Sequence, residues 1–459
     1  MAYHLRLDAC LFMENTRQKG AGRTLIMART KIYEKDIFYS WLKPCVDWCC
    51  RHSYNTVEVG GYENIPDDGA VIIAPNHCNT LMDALVILRS FKDESVFGAR
   101  ADMFKNPLIA KAMFFLRILP MVRQRDGLRN VLKNYETIDI ITETLEHGIR
   151  FCMYPEGRHR PAHSLLPLGK GVMRAAIAAN EAFGNRKPIY IVPTGIEYGD
   201  YFRYRSTCLI TFGKAINVTE FIKELDVETE AQMMDPLRKE LRKRMSELIT
   251  YIPDDENYES KWALTRILAR EDARQGKLSE RLIHNRNIIS LIEESCIKEP
   301  EKMKKILADA TSFDKERRKK GLSIWSFGNR NTASNAVIKG LIALLGIPYF
   351  IFAAIASLPM WVTFELLRGK LKDRAFHNTA GFGIKLAMGP LIFIMWTILA
   401  FSLTSWPVAI LLSLLTIPAY SFFYDYTDFT RIFISDLKLL NNKKMNDWFK
   451  AIISDFSKI

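Results

Sequence analysis

The chain has 459 residues, about three times the size of an ordinary domain, so two or three structural units are expected. Its 48% hydrophobic and 25% charged residues exclude a disordered protein, and eight irregularly spaced cysteines exclude a disulfide framework and fit a reduced, cytosol-facing chain. Lys plus Arg exceed Asp plus Glu by 64 − 51 = 13. That excess favours anionic partners such as lipid headgroups, phosphorylated substrates or CoA. Nothing resembles a nucleic-acid recognition module, so nucleic acid is not expected as a partner.

Residues 1–36 read as an N-terminal tail, and Met27 followed by Ala-Arg-Thr-Lys offers a second plausible start. Residues 37–55 read as an interfacial helix too short to span a bilayer, because Trp41 and Trp48 are seven apart and share a helical face. From residue 56 short apolar runs alternate with longer helical patterns. Strands are expected at 56–59, 71–74, 95–98, 118–122, 151–154, 189–192 and 207–212, and helices at 81–89, 128–146 and 171–182. This alternation predicts an α/β domain over 56–215, with helices on both faces of the sheet and active groups in the turns beyond strand ends.

Residues 216–335 read as a polar helical region with solvated faces. A membrane domain is expected at 336–430, followed by a C-terminal tail at 431–459. Residues 340–364 and 386–424 carry no charge, and a hydrocarbon span needs about 20 apolar residues. Simple spans at 340–364, 386–404 and 408–424 would put the basic loop 365–385 opposite the α/β domain. The positive-inside rule instead favours a hairpin over 386–424 turning near Trp406-Pro407, with 340–364 dipping in and returning at Pro348 and Pro359.

The most informative segment is the buried strand ending at Pro75, followed by Asn76, His77 and a helix from about Thr80 that carries Asp83. A spacing of six separates His77 and Asp83 on a regular helix. They can meet only if His77 lies in the turn and Asp83 reaches back from the first helical turn. Such a carboxylate would fix the imidazole tautomer and leave the other ring nitrogen to take a proton. The same residues also fit helix capping, with Thr80 and Asp83 as the pair. Three more strand ends carry Arg123 and Arg125, then Pro155-Glu156-Gly157 with basic residues behind it, then Pro193. Together they would gather a base, an anion clamp and a carboxylate at one sheet. Cys78 adjoins His77, but neighbouring side chains in a turn point apart, so a thiol nucleophile is not expected.

These four blocks, in this order, resemble the glycerophospholipid (1-acylglycerol-3-phosphate and glycerol-3-phosphate) acyltransferases over roughly residues 56–215. The resemblance implies that His77 is the general base and Asp83 its orienting partner. It implies acceptor binding by Asn76, Arg123, Glu156, Gly157 and Pro193, with Arg158 or Arg160 supplying the arginine of the third block. That block usually reads Glu-Gly-Thr-Arg and here reads Glu156-Gly157-Arg158-His159. Five residues lie between His77 and Asp83 where the common form has four, a spacing seen in the glycerol 3-phosphate and dihydroxyacetone phosphate acyltransferases.

The expectation is an integral membrane O-acyltransferase with its catalytic domain facing the cytoplasm. It would move a fatty acyl group from acyl-CoA or acyl carrier protein to a phosphorylated glycerolipid acceptor, in contact with membrane lipids. No metal or redox cofactor is implied. Alternatives are another lysolipid or an acylated amino acid as acceptor, or a non-catalytic membrane-binding protein on the same fold.

Overall fold

The computed structural model describes residues 32–121, 128–184, 186–227, 229–270, 277–328 and 332–459. Helix α1 (Ile37–His52) precedes the strands β1 (Thr56–Gly60) and β2 (Ala70–Pro75), helix α2 (Thr80–Ser90), β3 (Ser95–Arg100), α3 (Pro107–Phe115) and β4 (Ile118–Met121). There follow α4 (Leu128–Glu146), β5 (Arg150–Cys152), α5 (Gly171–Phe183), β6 (Ile189–Tyr198), β7 (Thr207–Phe212) and β8 (Ile216–Asn217). The strands form one mixed sheet in the order β1-β7-β6-β2-β5-β3-β4, with β8 paired to β6. β2, β5, β3 and β4 run parallel, as do β6 and β2, while β7 is antiparallel to β6.

β2 is central and all six of its residues are buried, which its unbroken apolar sequence requires. Alternate side chains serve opposite layers. Ile72 and Ala74 pack with residues of α4 and α5 on one face, and Val71 and Ile73 pack with α1 and α2 on the other. The expected strand ending at Pro193 instead continues to Tyr198. The missing proline N–H does not stop it, because the Pro193 carbonyl accepts from the Gly213 N–H at 2.8 Å while β6 passes from β2 to the antiparallel β7. Helix α3 was not anticipated. Asn106 caps it by accepting from the Leu108 N–H at 2.9 Å, with Pro107 following.

Two helices pack across the expected boundaries. Helix α7 (Glu230–Ser246), which follows α6 (Val218–Leu225), buries Met234, Leu237, Leu241 and Met245 in the core beneath the sheet, so that core draws on residues past 215. The helical region proper is α8 (Tyr258–Leu268), α9 (Leu278–Lys298) and α10 (Pro300–Lys319). The expected C-terminal tail belongs to it: helix α14 (Lys443–Phe456) inserts Met445, Phe449 and Ile452 among Leu264, Leu307 and Phe313. Its amphipathic period adds one more apolar face to the core these helices share.

Among the described residues three helices are long and apolar enough to cross a membrane: α11 (Ala333–Arg368), α12 (Phe376–Leu403) and α13 (Trp406–Leu440). The turn between α12 and α13 falls at residues 404–405, where the hairpin was expected. α11 differs from expectation. It is one unbroken helix through Pro348 and Pro359 rather than a segment that dips and returns, since a helix with neighbours to pack on tolerates proline. Near its start Lys339 pairs with Asp436, and past its end the loop to α12 lies against the catalytic domain. On α1, Ile37, Phe38 and Trp41 are exposed, while Tyr39, Cys49 and Cys50 are buried.

Candidate active site

His77 lies in the turn between the C-terminal end of β2 and α2, at the edge where parallel strands deliver ligands to open α/β sheets. Its Nδ1 is 2.7 Å from Oδ2 of Asp83, and Asp83 is fully buried. The same oxygen accepts the Cys78 N–H at 2.8 Å and the Asn79 N–H at 2.7 Å, while Oδ1 accepts the Tyr198 hydroxyl at 2.8 Å. Both readings of Asp83 therefore hold at once: it orients the imidazole and it caps α2. The cap works through Asn79, not Thr80, whose hydroxyl donates to the Ala375 carbonyl at 3.2 Å. The Tyr154 ring stacks on His77 at 4.2 Å and 24° and fixes the ring plane.

β5 lies beside β2, so the turn after it meets the His77 turn. Pro155 leads that turn, and Gly157 takes φ +63°, a left-handed value open to glycine without strain. Glu156 accepts the His77 N–H at 2.8 Å through one oxygen and the Leu166 N–H at 2.9 Å through the other. Burial pushes its carboxyl pKa up, against those two donors. Glu156 thus braces the loop that carries His77.

The other expected residues scatter in role. Asn76 is buried, and its carboxamide gives 3.1 Å to the Ile196 carbonyl and takes the Ile196 N–H at 2.7 Å, tying the His77 turn to β6. Pro193 is buried within β6. Arg160 is spent on Asp254 at 2.6 Å and on the Ser164 hydroxyl at 2.5 Å, and its N–H meets the His77 carbonyl at 2.9 Å. Arg158 is exposed. Arg123 and Arg125 lie outside the described residues; β4, which precedes them, stands three strand spacings from β2, about 14 Å. Cys78 is buried, and burial pushes its thiol well above the ordinary value, the opposite of an activated nucleophile.

Four side chains at the site were missed. Tyr154 and Tyr198 were legible as residues of the predicted strand and its continuation, but their aim was not. His159 stands with its ring 5.7 Å from His77 at 77°, and its Nε2 is 2.8 Å from Oδ2 of Asp373. Asp373 sits in the loop before α12, 214 residues along the chain, so no local signal could have joined it to the site.

This arrangement can take a proton at His77 Nε2. A base held by a buried carboxylate, braced from below by Glu156 and open on one side, suits activation of a hydroxyl. Residues 56–197 match the family model described as Acyltransferase, a stretch that runs from β1 to all but the last residue of β6 and contains His77, Asp83, Tyr154, Glu156 and His159. The chain therefore carries a domain of the acyltransferase family and is an acyltransferase. No curated protein matches it. Among solved structures it is similar to the 1-acyl-sn-glycerophosphate (LPA) acyltransferase PlsC from Thermotoga maritima, at 19% identity over 49% of this chain and 86% of that one, with a TM-score of 0.33. That score is too low to add to what the residues themselves establish.

Proposed function

We propose that this protein is a membrane-bound O-acyltransferase that moves a fatty acyl group from acyl-CoA or acyl carrier protein to a hydroxyl of glycerol 3-phosphate or 1-acylglycerol 3-phosphate. The observation that carries the reading is the His77–Asp83 pair in a turn at the sheet edge, within a domain of acyltransferase sequence. The Asp83 contact keeps the proton on Nδ1, so Nε2 is the free base. Nε2 takes the acceptor hydroxyl proton as its oxygen attacks the thioester carbonyl. The tetrahedral intermediate then collapses, the carbon–sulfur bond breaks, and the departing thiolate recovers that proton from Nε2. A thioester is already activated, so the reading calls for no cofactor beyond the donor.

The membrane side of the reading rests on three apolar helices and an apolar edge on α1. Both acyl donors are cytoplasmic and anionic, which favours a catalytic domain on the cytoplasmic face and suits the basic balance of the chain. The test is transfer of radiolabelled acyl groups by purified protein to a panel of glycerol 3-phosphate, lysophosphatidate, uncharged monoacylglycerol and an acylated amino acid. The expected products are phosphorylated glycerolipids. Transfer to the amino-acid acceptor alone, or to none, would overturn the reading.

A further inference from the structure

The loop joining α11 to α12 does not hang free of the catalytic domain, and α12 begins against the first residue of α2. The Thr80 hydroxyl donates to the Ala375 carbonyl at 3.2 Å, so the Thr379 hydroxyl, 3.0 Å away, is the donor in the second contact. Beside them Asn378 Nδ2 donates to the Tyr201 carbonyl at 2.7 Å, and the Arg374 guanidinium sits 4.7 Å over the Phe202 ring. The membrane segment is therefore seated three residues from His77.

The residue under that seat is strained. Thr80 stands at φ +46°, in the left-handed region, where a β-branched side chain is a genuine outlier. Its neighbour Asn79 is fully buried, yet neither polar atom of the Asn79 carboxamide has a partner among the described residues. Two adjacent residues of high energy thus link His77 to the helix that carries Asp83. Both ends of that link are braced. Glu156 and Asn76 hold the His77 side, and the Tyr198 hydroxyl holds Asp83. The link itself is held differently: among the described residues, the Thr80 side chain hydrogen-bonds only to Ala375 and Thr379. If Thr80 relaxed to the ordinary helical φ of about −60°, the His77 turn and the Asn79 N–H would swing away from Oδ2 of Asp83. Backbone strain of this kind persists only where the surroundings over-determine it.

We propose that Thr379 is a positioning residue for catalysis: with the Ala375 carbonyl it pins Thr80 in the left-handed conformation that lets Asp83 reach His77. The inference rests on the function proposed above and deepens it, since α12 lies outside the matched family segment and here helps to align the base. Thr379 acts on the reaction only through Thr80 and the His77–Asp83 contact. When α12 leaves its seat, the pair loses alignment while the substrate sites stay whole.

The experiment measures kcat and KM for acyl-CoA and lysophosphatidate in detergent-solubilised full-length protein. Wild type is compared with Thr379→Val, which keeps the shape and removes the hydroxyl, and with Thr379→Ser, which keeps the hydroxyl. Thr80→Gly is measured alone and combined with Thr379→Val. Thr379→Val should lower kcat by about 10-fold or more, because a slightly misplaced base costs that much, and leave both KM values within about 3-fold. Thr379→Ser should keep the wild-type kcat. Glycine takes positive φ without strain, so in the Thr80→Gly background Thr379→Val should cost less than about 2-fold. The two Thr379 variants decide the matter alone if Thr80→Gly does not fold. Wild-type kcat in Thr379→Val, a loss confined to KM, no recovery by serine, or the same fold-loss in both backgrounds would overturn the inference while leaving the function intact. Wild-type protein with no transfer to any acceptor would instead remove the function and this inference with it.

Discussion

Oδ2 of Asp83 receives three donors at 2.7–2.8 Å: Nδ1 of His77 and the backbone amides of Cys78 and Asn79. One oxygen therefore aims the His77 imidazole and caps the start of α2. Catalytic geometry and local fold cannot be separated at this residue, whereas at His77 they can.

That asymmetry predicts how Asp83→Asn behaves. An amide there either turns its NH2 toward two backbone N–H donors or keeps one oxygen without charge, and Tyr198 loses its carboxylate partner. Loss of hydrogen bonds to a buried charged group should cost about 1.5–3 kcal/mol of stability and most of the activity. Thermal unfolding and acyl transfer are measured on one preparation. Full stability with full activity would show that the carboxylate does neither job.

Glu156 gives a pH signature. Burial lifts its carboxyl above the ordinary value of 4.5. A folded value above the unfolded one means that the folded state binds the proton more tightly. Its stabilising contribution is present below the unfolded value and is lost as pH rises through the raised folded value. Glu156→Gln cannot ionise, so its Tm should fall less than that of wild type from acid toward neutral pH. Parallel Tm profiles would contradict this.

A second junction is built by Arg205, whose guanidinium reaches Asp425 on α13 at 2.9 and 2.6 Å and the carbonyls of His52 and Tyr54 at 3.2 and 2.7 Å. Arg203 adds Asp428 at 2.5 Å. Arg205→Ala should cost about 2–3 kcal/mol in detergent, and Arg205→Lys should restore little of it, because one ammonium cannot span a carboxylate and two carbonyls. The check is thermal unfolding of both variants. Full rescue by lysine would reduce the junction to simple charge pairing.

The seated loop also predicts topology. Loop 369–375 touches the catalytic domain, and α13 returns to it at Asp425, so both belong on the catalytic side of the bilayer with the 404–405 turn away from it. A cysteine at exposed Lys370, with the native cysteines replaced, should resist an impermeant thiol reagent in intact cells and label once the cytoplasmic face is opened. Labelling from outside would contradict the arrangement.

Much of this was readable in the residues, for physical reasons. Strands such as β2 announce themselves by unbroken apolar runs between turns. The His77–Asp83 contact follows from a turn and one helical turn, because local geometry alone fixes it. β6 was read short because proline ends most strands, and only its change of partner explains why this one continues. Helix α14 looked like a tail because its partners, Phe313 among them, lie more than a hundred residues away. Asp373 was invisible for the same reason: it meets His159 only after the membrane helices fold back on the sheet.

The role of His77 as the base of acyl transfer is read from the initial rate of His77→Ala with acyl-CoA and the preferred acceptor. His77 sits in a turn and is partly exposed, so its removal opens no core cavity, and the variant should keep its Tm and its membrane association. Its transfer rate should fall by about 10²–10⁴, the usual worth of a general base. A folded, membrane-bound His77→Ala protein that retains a rate within about 10-fold of wild type would contradict the assignment.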